Sequence, residues 1–118
     1  MKAVKIITKK DGKSAFVDFD INIENSGDLG SLSETYPVKG LIFRETSGDY
    51  DYDWHNAPAR QFVLILEGEV DITTGENETR RFRTGDILLV EDTTGQGHIS
   101  RAVDGKKRKS VFAVLEDQ

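Results

Sequence analysis

The sequence predicts an all-β domain, built as a closed barrel or an antiparallel double-sheet sandwich, and three observations carry that prediction. Apolar residues come in clusters of four to seven, separated by Gly, Asn, Asp or Thr turns, with hardly a helical period anywhere. Where alternation is plain, as in residues 15–21, it has the period of two that strands impose. Two runs, residues 61–66 and 87–90, are apolar on both faces and therefore need cover from two sides. Two sheets or a closed barrel supply that cover and leave few free edges.

Candidate strands span residues 4–8, 15–21, 38–46, 61–73, 79–83, 87–90, 98–103 and 110–115. In the second, Phe16 and Asp18 share one face and Val17, Phe19 and Ile21 the other, so one face is expected buried and one wet. Residues 22–37 are polar and glycine-dotted, with at most a helical turn at 31–34, and read as a long connection wrapping the outside. Residues 50–60 read as an aromatic, acidic loop that runs through His55 and bends at Pro58 into the 61–66 run. In that run Gln61, Val63 and Ile65 lie on one side and Phe62, Leu64 and Leu66 on the other. Gly68 introduces residues 69–72, where alternation returns, and 73–78 make a turn before 79–83 comes back as a hairpin partner. Thr84-Gly85-Asp86 is another tight turn, and the glycines of residues 93–97 bend the chain sharply into His98. In the next strand His98, Ser100 and Ala102 share a small, polar face, while Ile99, Arg101 and Val103 share the other, which points Arg101 outward. Asp104-Gly105 and the basic run 106–109 read as a solvated hairpin tip.

The 118 residues make one domain, large enough to bury roughly two-thirds of the surface that its extended chain exposes. Residues 1–37 supply N-terminal strands and the wrapping connection, and residues 38–115 the barrel. With no cysteine, disulfides, thiolate zinc sites and a cysteine nucleophile are excluded. A net charge of −5 argues against a nucleic-acid partner, since neutralising phosphates takes a basic face. No run is long enough to span a bilayer, and residues 1–10 carry charges where a signal peptide needs its apolar centre, so no membrane association and a cytoplasmic location are expected. Asp49, Asp51 and Asp53 alternate as in a calcium loop, but Trp54 stands where glycine is needed and Arg60 where the bidentate glutamate belongs, which excludes that reading.

Residues 38–115 resemble the cupin superfamily, small β-barrels of jelly-roll topology, and are most similar to its small single-domain members. The family's first motif is glycine, His-x-His, glutamate three or four residues on, and glycine after six more; His55-Asn56-Ala57, Gln61 and Gly68 fall on that frame. The second begins with glycine-aspartate and ends near a third histidine, which Gly85-Asp86 and His98 match with a couple of extra residues in 93–97 and no proline. The resemblance implies a cupin-type jelly roll, a homodimer, and in metal-binding members a divalent ion held by three histidines and a glutamate. Here Ala57 replaces the second histidine and Gln61 the glutamate. Any divalent metal would be weakly held by His55, His98 and Gln61, because no anionic donor remains among the four positions. No metal ligand set and no cofactor are therefore expected.

His55 and His98 are the expected catalytic pair, facing each other across one pocket, with Gln61, Tyr52, Trp54, Arg60 and Ser100 as candidate substrate-binding residues. Two imidazoles titrating near neutrality suit isomerase or lyase chemistry on a small molecule, since they can take a proton from one carbon and return it to another. Other readings stand beside it: a metal-dependent dioxygenase-type cupin, a non-catalytic metabolite-binding or sensor module, or a collapsed barrel acting as a dimer scaffold. Tyr50, Tyr52 and Trp54 either wall the mouth of a ligand site or cover a neighbouring subunit.

Overall fold

The computed structural model describes residues 1–116. Their strands are β1 (Lys2–Thr8), β2 (Ser14–Asp20), β3 (Glu24–Asn25), β4 (Ser31–Leu32), β5 (Val38–Thr46), β6 (Asp51–His55), β7 (Gln61–Glu67), β8 (Val70–Thr73), β9 (Thr79–Phe82), β10 (Ile87–Val90), β11 (His98–Ala102) and β12 (Arg108–Leu115). One six-stranded sheet runs β2-β1-β10-β7-β12-β5, and a four-stranded sheet runs β6-β11-β8-β9. Every pairing is antiparallel except β1 with β10. The chain crosses between the two main sheets at β5–β6, β6–β7, β7–β8, β9–β10, β10–β11 and β11–β12, which closes the sandwich into the expected jelly-roll barrel. At the opposite seam Arg80 of β9 reaches Asp18 of β2 at 2.8 Å.

The interior follows from the alternation of the strands. Ile6, Phe16, Ile65, Val70, Ile72, Phe82, Leu88 and Val90 meet between the two sheets. A second cluster, Ala3, Ile21, Phe62, Leu89 and Leu115, lies on the other face of the six-stranded sheet with Phe19 and Ile23 against it. Tyr36 adds a ring edge-on to Phe62, with centroids 5.1 Å apart. The connection over residues 22–37 thus covers part of the sheet's outer face, and it does so with a β3–β4 ladder around a 3₁₀ turn at Gly27–Leu29. The helical turn expected at 31–34 is absent, because Ser31 and Leu32 pair with Asn25 and Glu24.

Three expectations need correction. Residues 15–21 do not divide into one buried and one wet face: Phe16 enters the first cluster, Phe19 and Ile21 join the second, and Val17 is 39% exposed. The reason is that both faces are partly covered: Phe16 enters the interior between the sheets, while the outer face is covered at Phe19 and Ile21, where Ile23 packs, and not at Val17. Residues 61–73 are two strands in different sheets, broken at Gly68, whose φ is +89° and where a Cβ would lie 2.6 Å from Lys107 O, leaving no place for a side chain. Residues 51–55 are a strand and not a loop, paired along β11. The Asp104-Gly105 turn has positive φ at both residues, 55° and 66°, with Lys106 N–H donating to Val103 O at 3.1 Å, as a two-residue turn requires.

Candidate functional site

A cavity of about 300 Å³ opens inside the barrel. Its floor is apolar, from Val63, Ile65, Val70, Ile72, Leu88 and Val90. His55 and His98 sit on its four-stranded wall as direct cross-strand partners. Their rings are 4.5 Å apart, centroid to centroid, and tilted by 58°. The two histidines are therefore neighbours on one wall, not opposed across the pocket as the sequence suggested.

A bulge arranges this wall. His98 pairs with His55 and Ser100 with Tyr52, so β6 advances three residues while β11 advances two. The extra residue turns Tyr52 and His55 to the same side, and their rings stack at 3.9 Å with 20° between planes. His55 Nδ1–H donates to the Asp53 carbonyl at 2.8 Å, which leaves Nε2 as the free ring nitrogen. Burial pushes the His55 imidazole below its usual pKa, and His98 and Arg44 add to that, while the Asp53 bond opposes it.

His98 Nδ1–H donates to Asp92 Oδ2 at 2.5 Å. Asp92 is fully buried and its other oxygen, Oδ1, has no partner among the described residues. The carboxylate fixes the ring's orientation and leaves His98 Nε2 free, as a His–Asp pair does in general-base catalysis. Asp92 also ties the two histidine segments together, since its carbonyl accepts from Ala57 N–H at 3.2 Å and from Asn56 Nδ2 at 3.3 Å. Gly97 makes the approach possible: its φ is +76° and a Cβ there would lie 2.0 Å from His55 O. From outside, the β1–β2 hairpin clamps the same turn. Ser14 Oγ donates to Gly97 O at 2.6 Å and accepts from Gly75 N–H at 2.9 Å, and Gln96 N–H donates to Gly12 O at 2.9 Å.

The six-stranded wall is cationic. Arg44 of β5 and Arg108, Ser110 and Phe112 of β12 line the cavity, with Arg44 directly beside Ser110 in register. The Arg44 and Arg108 guanidinium carbons lie 4.9 and 5.5 Å from the Tyr50 ring centroid. Burial, followed by the neighbouring Arg44 charge, lowers the Arg108 pKa from its usual value, with Tyr50 opposing. No Asp or Glu lines the cavity among the described residues.

Of the candidates read from the sequence, the structure brings His55, His98, Gln61, Tyr52 and Ser100 to this one cavity. Trp54 and Arg60 are not among its lining residues. Trp54 falls within the bulge and is exposed, and Arg60 Nε donates to Glu91 Oε2 instead. Arg101 points outward to Asp51 at 3.0 Å. The basic run 106–109 is not wholly a solvated tip, because Arg108 is only 6% exposed. Asp92, Arg44, Arg108 and Ser110 escaped the sequence reading. The signals were there: an acid six residues before His98, and the Arg108, Ser110, Phe112 alternation once β12 begins at Arg108 rather than Ser110.

The donors do not fit a resident divalent cation. Ala57 is buried at one expected ligand position and Gln61 at another, and no group of three or more His, Cys, Asp or Glu among the described residues is placed to hold one. Two guanidiniums sharing the cavity further oppose a cation.

Solved structures from three bacteria have a similar fold. A conserved protein of unknown function from Streptococcus pyogenes has a TM-score of 0.53 at 21% identity, covering 74% of this chain and 71% of the other. A protein from Neisseria meningitidis has a TM-score of 0.51 at 17% identity, covering 70% and 84%. A candidate ethanolamine utilization protein Q from Salmonella typhimurium has a TM-score of 0.51 at 14% identity, covering 100% and 98%. At these identities the likeness is one of fold. No curated protein matches the chain. The model of the EutQ-like cupin domain matches residues 33–108, a span that holds both histidine segments and reaches Arg108 of β12, and the chain belongs to that cupin family.

Proposed function

We propose that this cupin binds a small organic molecule in its barrel and that His55 and His98 move a proton on it. The observation that carries the reading is the buried Asp92–His98 pair, 2.5 Å apart, with the His55 ring beside it on a cavity wall. Both Nδ1 atoms are engaged, by Asp92 and by the Asp53 carbonyl, so both Nε2 atoms are free to exchange protons with a guest. His98 Nε2 takes a proton from carbon, and the imidazolium so formed gives that proton to a neighbouring atom of the guest, directly or by way of the adjacent His55 Nε2, as isomerisation or elimination needs. Asp92 gives the charge developing on His98 a counter-ion. Gln61 and Ser100 orient the guest, and Tyr52 screens the mouth. No step is routed through a metal, because the donor set does not suit one.

Proton NMR in D₂O tests this. Small hydroxy acids, oxo acids, amino acids and sugars are incubated with the protein, and loss of C–H signal is followed. Exchange that disappears in His55→Ala and His98→Ala while the compound still binds supports proton transfer. Saturable binding without exchange for every compound would leave a metabolite-binding module and refute the catalytic reading.

We also propose a homodimer formed through the open edge of β5. Leu41, Ile42 and Phe43 on that strand are 57%, 50% and 77% exposed, and a long apolar edge is a template for pairing. An antiparallel pair centred on Ile42 sets Leu41 against the partner's Phe43 and brings Lys39 near the partner's Glu45. Light scattering of wild type and Phe43→Glu checks it; a monomeric wild type at tens-of-micromolar concentrations, the order at which weak dimers form, rules it out.

A further inference from the structure

The least expected feature of the cavity is its uncompensated positive charge. Arg44 and Arg108 enter it from adjacent strands, and neither has a carboxylate within ion-pair distance among the described residues. Arg108 is 6% exposed, yet its Nη1 has no hydrogen-bond acceptor among those residues. Ser110, its neighbour on the same face of β12, is 2% exposed, and its hydroxyl is likewise unpartnered. Buried polar groups are nearly always paired, and buried guanidiniums more strictly still. Even more exposed arginines of this protein hold carboxylates: Arg80 and Arg81 hold Glu78, Asp18 and Asp71. Among the described residues four buried side-chain atoms lack a partner: Arg108 Nη1 and Ser110 Oγ sit together on this wall, Thr46 Oγ1 and Asp92 Oδ1 are the others, and on this wall alone the deficit falls on a cation. The aromatic cover does not remove it, because the ring of Tyr50 offers Arg44 and Arg108 a face and no in-plane acceptor.

We propose that Arg44, Arg108 and Ser110 form an oxyanion-binding subsite, so that the molecule taken by the barrel is a small organic anion. Its carboxylate or phosphate lies on β5 and β12, and its other end meets His55 and His98 on the facing sheet. The inference rests on the reading of the cavity as a ligand site and names its substrate class. The chemistry matches part by part. Guanidinium forks present paired N–H donors suited to the oxygens of a carboxylate or phosphate. The Ser110 hydroxyl adds a donor. Two adjacent cations that repel each other in the free protein are both neutralised by one guest. The apolar floor of Val63, Ile65 and Leu88 accepts a short carbon skeleton between the charged end and the imidazoles.

The experiment uses dialysed full-length protein at low ionic strength. Pyruvate, succinate, glycerol 3-phosphate and inorganic phosphate are compared with pyruvamide, succinamide and glycerol, and with sodium chloride at matched ionic strength. Thermal midpoints and calorimetric affinities are read. At least one organic anion should bind about 30-fold or more tightly than its uncharged counterpart, and Arg108→Met should weaken it about 10- to 100-fold, as loss of hydrogen bonds to a charged group predicts. Arg44→Met should act in the same direction. Arg108→Lys keeps the charge and loses the fork, so it should retain part of the affinity and guards against a misfolded Met variant. Whether succinate or glycerol 3-phosphate wins decides between carboxylate and phosphate. Three outcomes overturn the proposal: uncharged compounds binding as well as the anions, Arg108→Met leaving anion affinity unchanged, or no anion exceeding chloride. Inorganic phosphate binding as tightly as every organic anion means an adventitious ion only and also overturns it. Anion binding without deuterium exchange refutes proton transfer and leaves the subsite standing, whereas exchange into uncharged compounds that is indifferent to Arg108→Met does the reverse.

Discussion

Replacing Asp92 by asparagine keeps the side chain's shape and removes its charge, which isolates what the carboxylate does for His98. In the native protein the His98 Nδ1–H donates to Asp92 Oδ2 at 2.5 Å in full burial. A hydrogen bond to a charged group contributes about 1.5–3 kcal/mol, and a neutral one about 0.5–1.5 kcal/mol. The substitution therefore weakens the hold on the Nδ1–H tautomer by about 1–2 kcal/mol, a factor of about 5–30 in the tautomer ratio. An asparagine amide facing Nδ1 can also donate to it, which favours a proton on Nε2. Nε2 would then lose its lone pair, and with it the capacity to take a proton from a guest. Long-range proton–nitrogen NMR at alkaline pH reads the tautomers directly, and with only two histidines in the chain the spectrum holds two imidazoles. His55, whose Nδ1 is bonded to a backbone carbonyl, is the internal control. His98 should carry its proton on Nδ1 in the wild type and shift substantially to Nε2 in Asp92→Asn. Identical His98 tautomers in the two proteins, or an Nε2–H form in the wild type, would refute the argument that Asp92 sets the base.

Three further outcomes are expected. Because burial lowers the His55 pKa, the folded state binds the proton less readily than the unfolded chain does. The His55 contribution is therefore intact above about pH 6.5 and is lost as pH falls from there through the lower folded value; His55→Gln should flatten that part of a stability–pH curve, and an unchanged curve removes the claim. Gly97→Ala, with φ at +76° and His55 O where the methyl would go, should lower stability by at least about 2 kcal/mol in urea unfolding; a change within error means that the close approach does not constrain the site. Arg101→Ala breaks an ion pair whose side chains are 52% and 65% exposed, so double-mutant cycles with Asp51→Ala should give a coupling of about 1 kcal/mol or less.

Strand content and barrel class were legible because they depend on alternation and punctuation, which are local. Residues 38–46 and 87–90 became β5 and β10 with the boundaries read from the sequence. The resemblance to the cupin motifs brought His55, Gln61 and His98 under consideration and alternation added Ser100, and all four line one cavity. Local logic failed where a tertiary event changed the phase. The β6 bulge moved Tyr52 onto the face of His55 and left Trp54 off the cavity. Arg108 looked like part of a solvated basic run, and only the position of β12 between β7 and β5 carried it inward. Val17 and Phe19 were given one environment, although the wrapping connection covers them unequally.

By itself, the sequence determined the strand architecture and the absence of cysteine chemistry, because residue identity and short-range periodicity suffice for these, and its resemblance to the cupin motifs marked the loss of half the usual ligands at Ala57 and Gln61. Only the tertiary structure decided that the histidines are side by side, that Asp92 lies beneath one of them and that Arg44 and Arg108 line the facing sheet. Those relations depend on strand register between segments distant in sequence and on which side chains close packing leaves without a partner. Neither quantity exists until the two sheets close on each other.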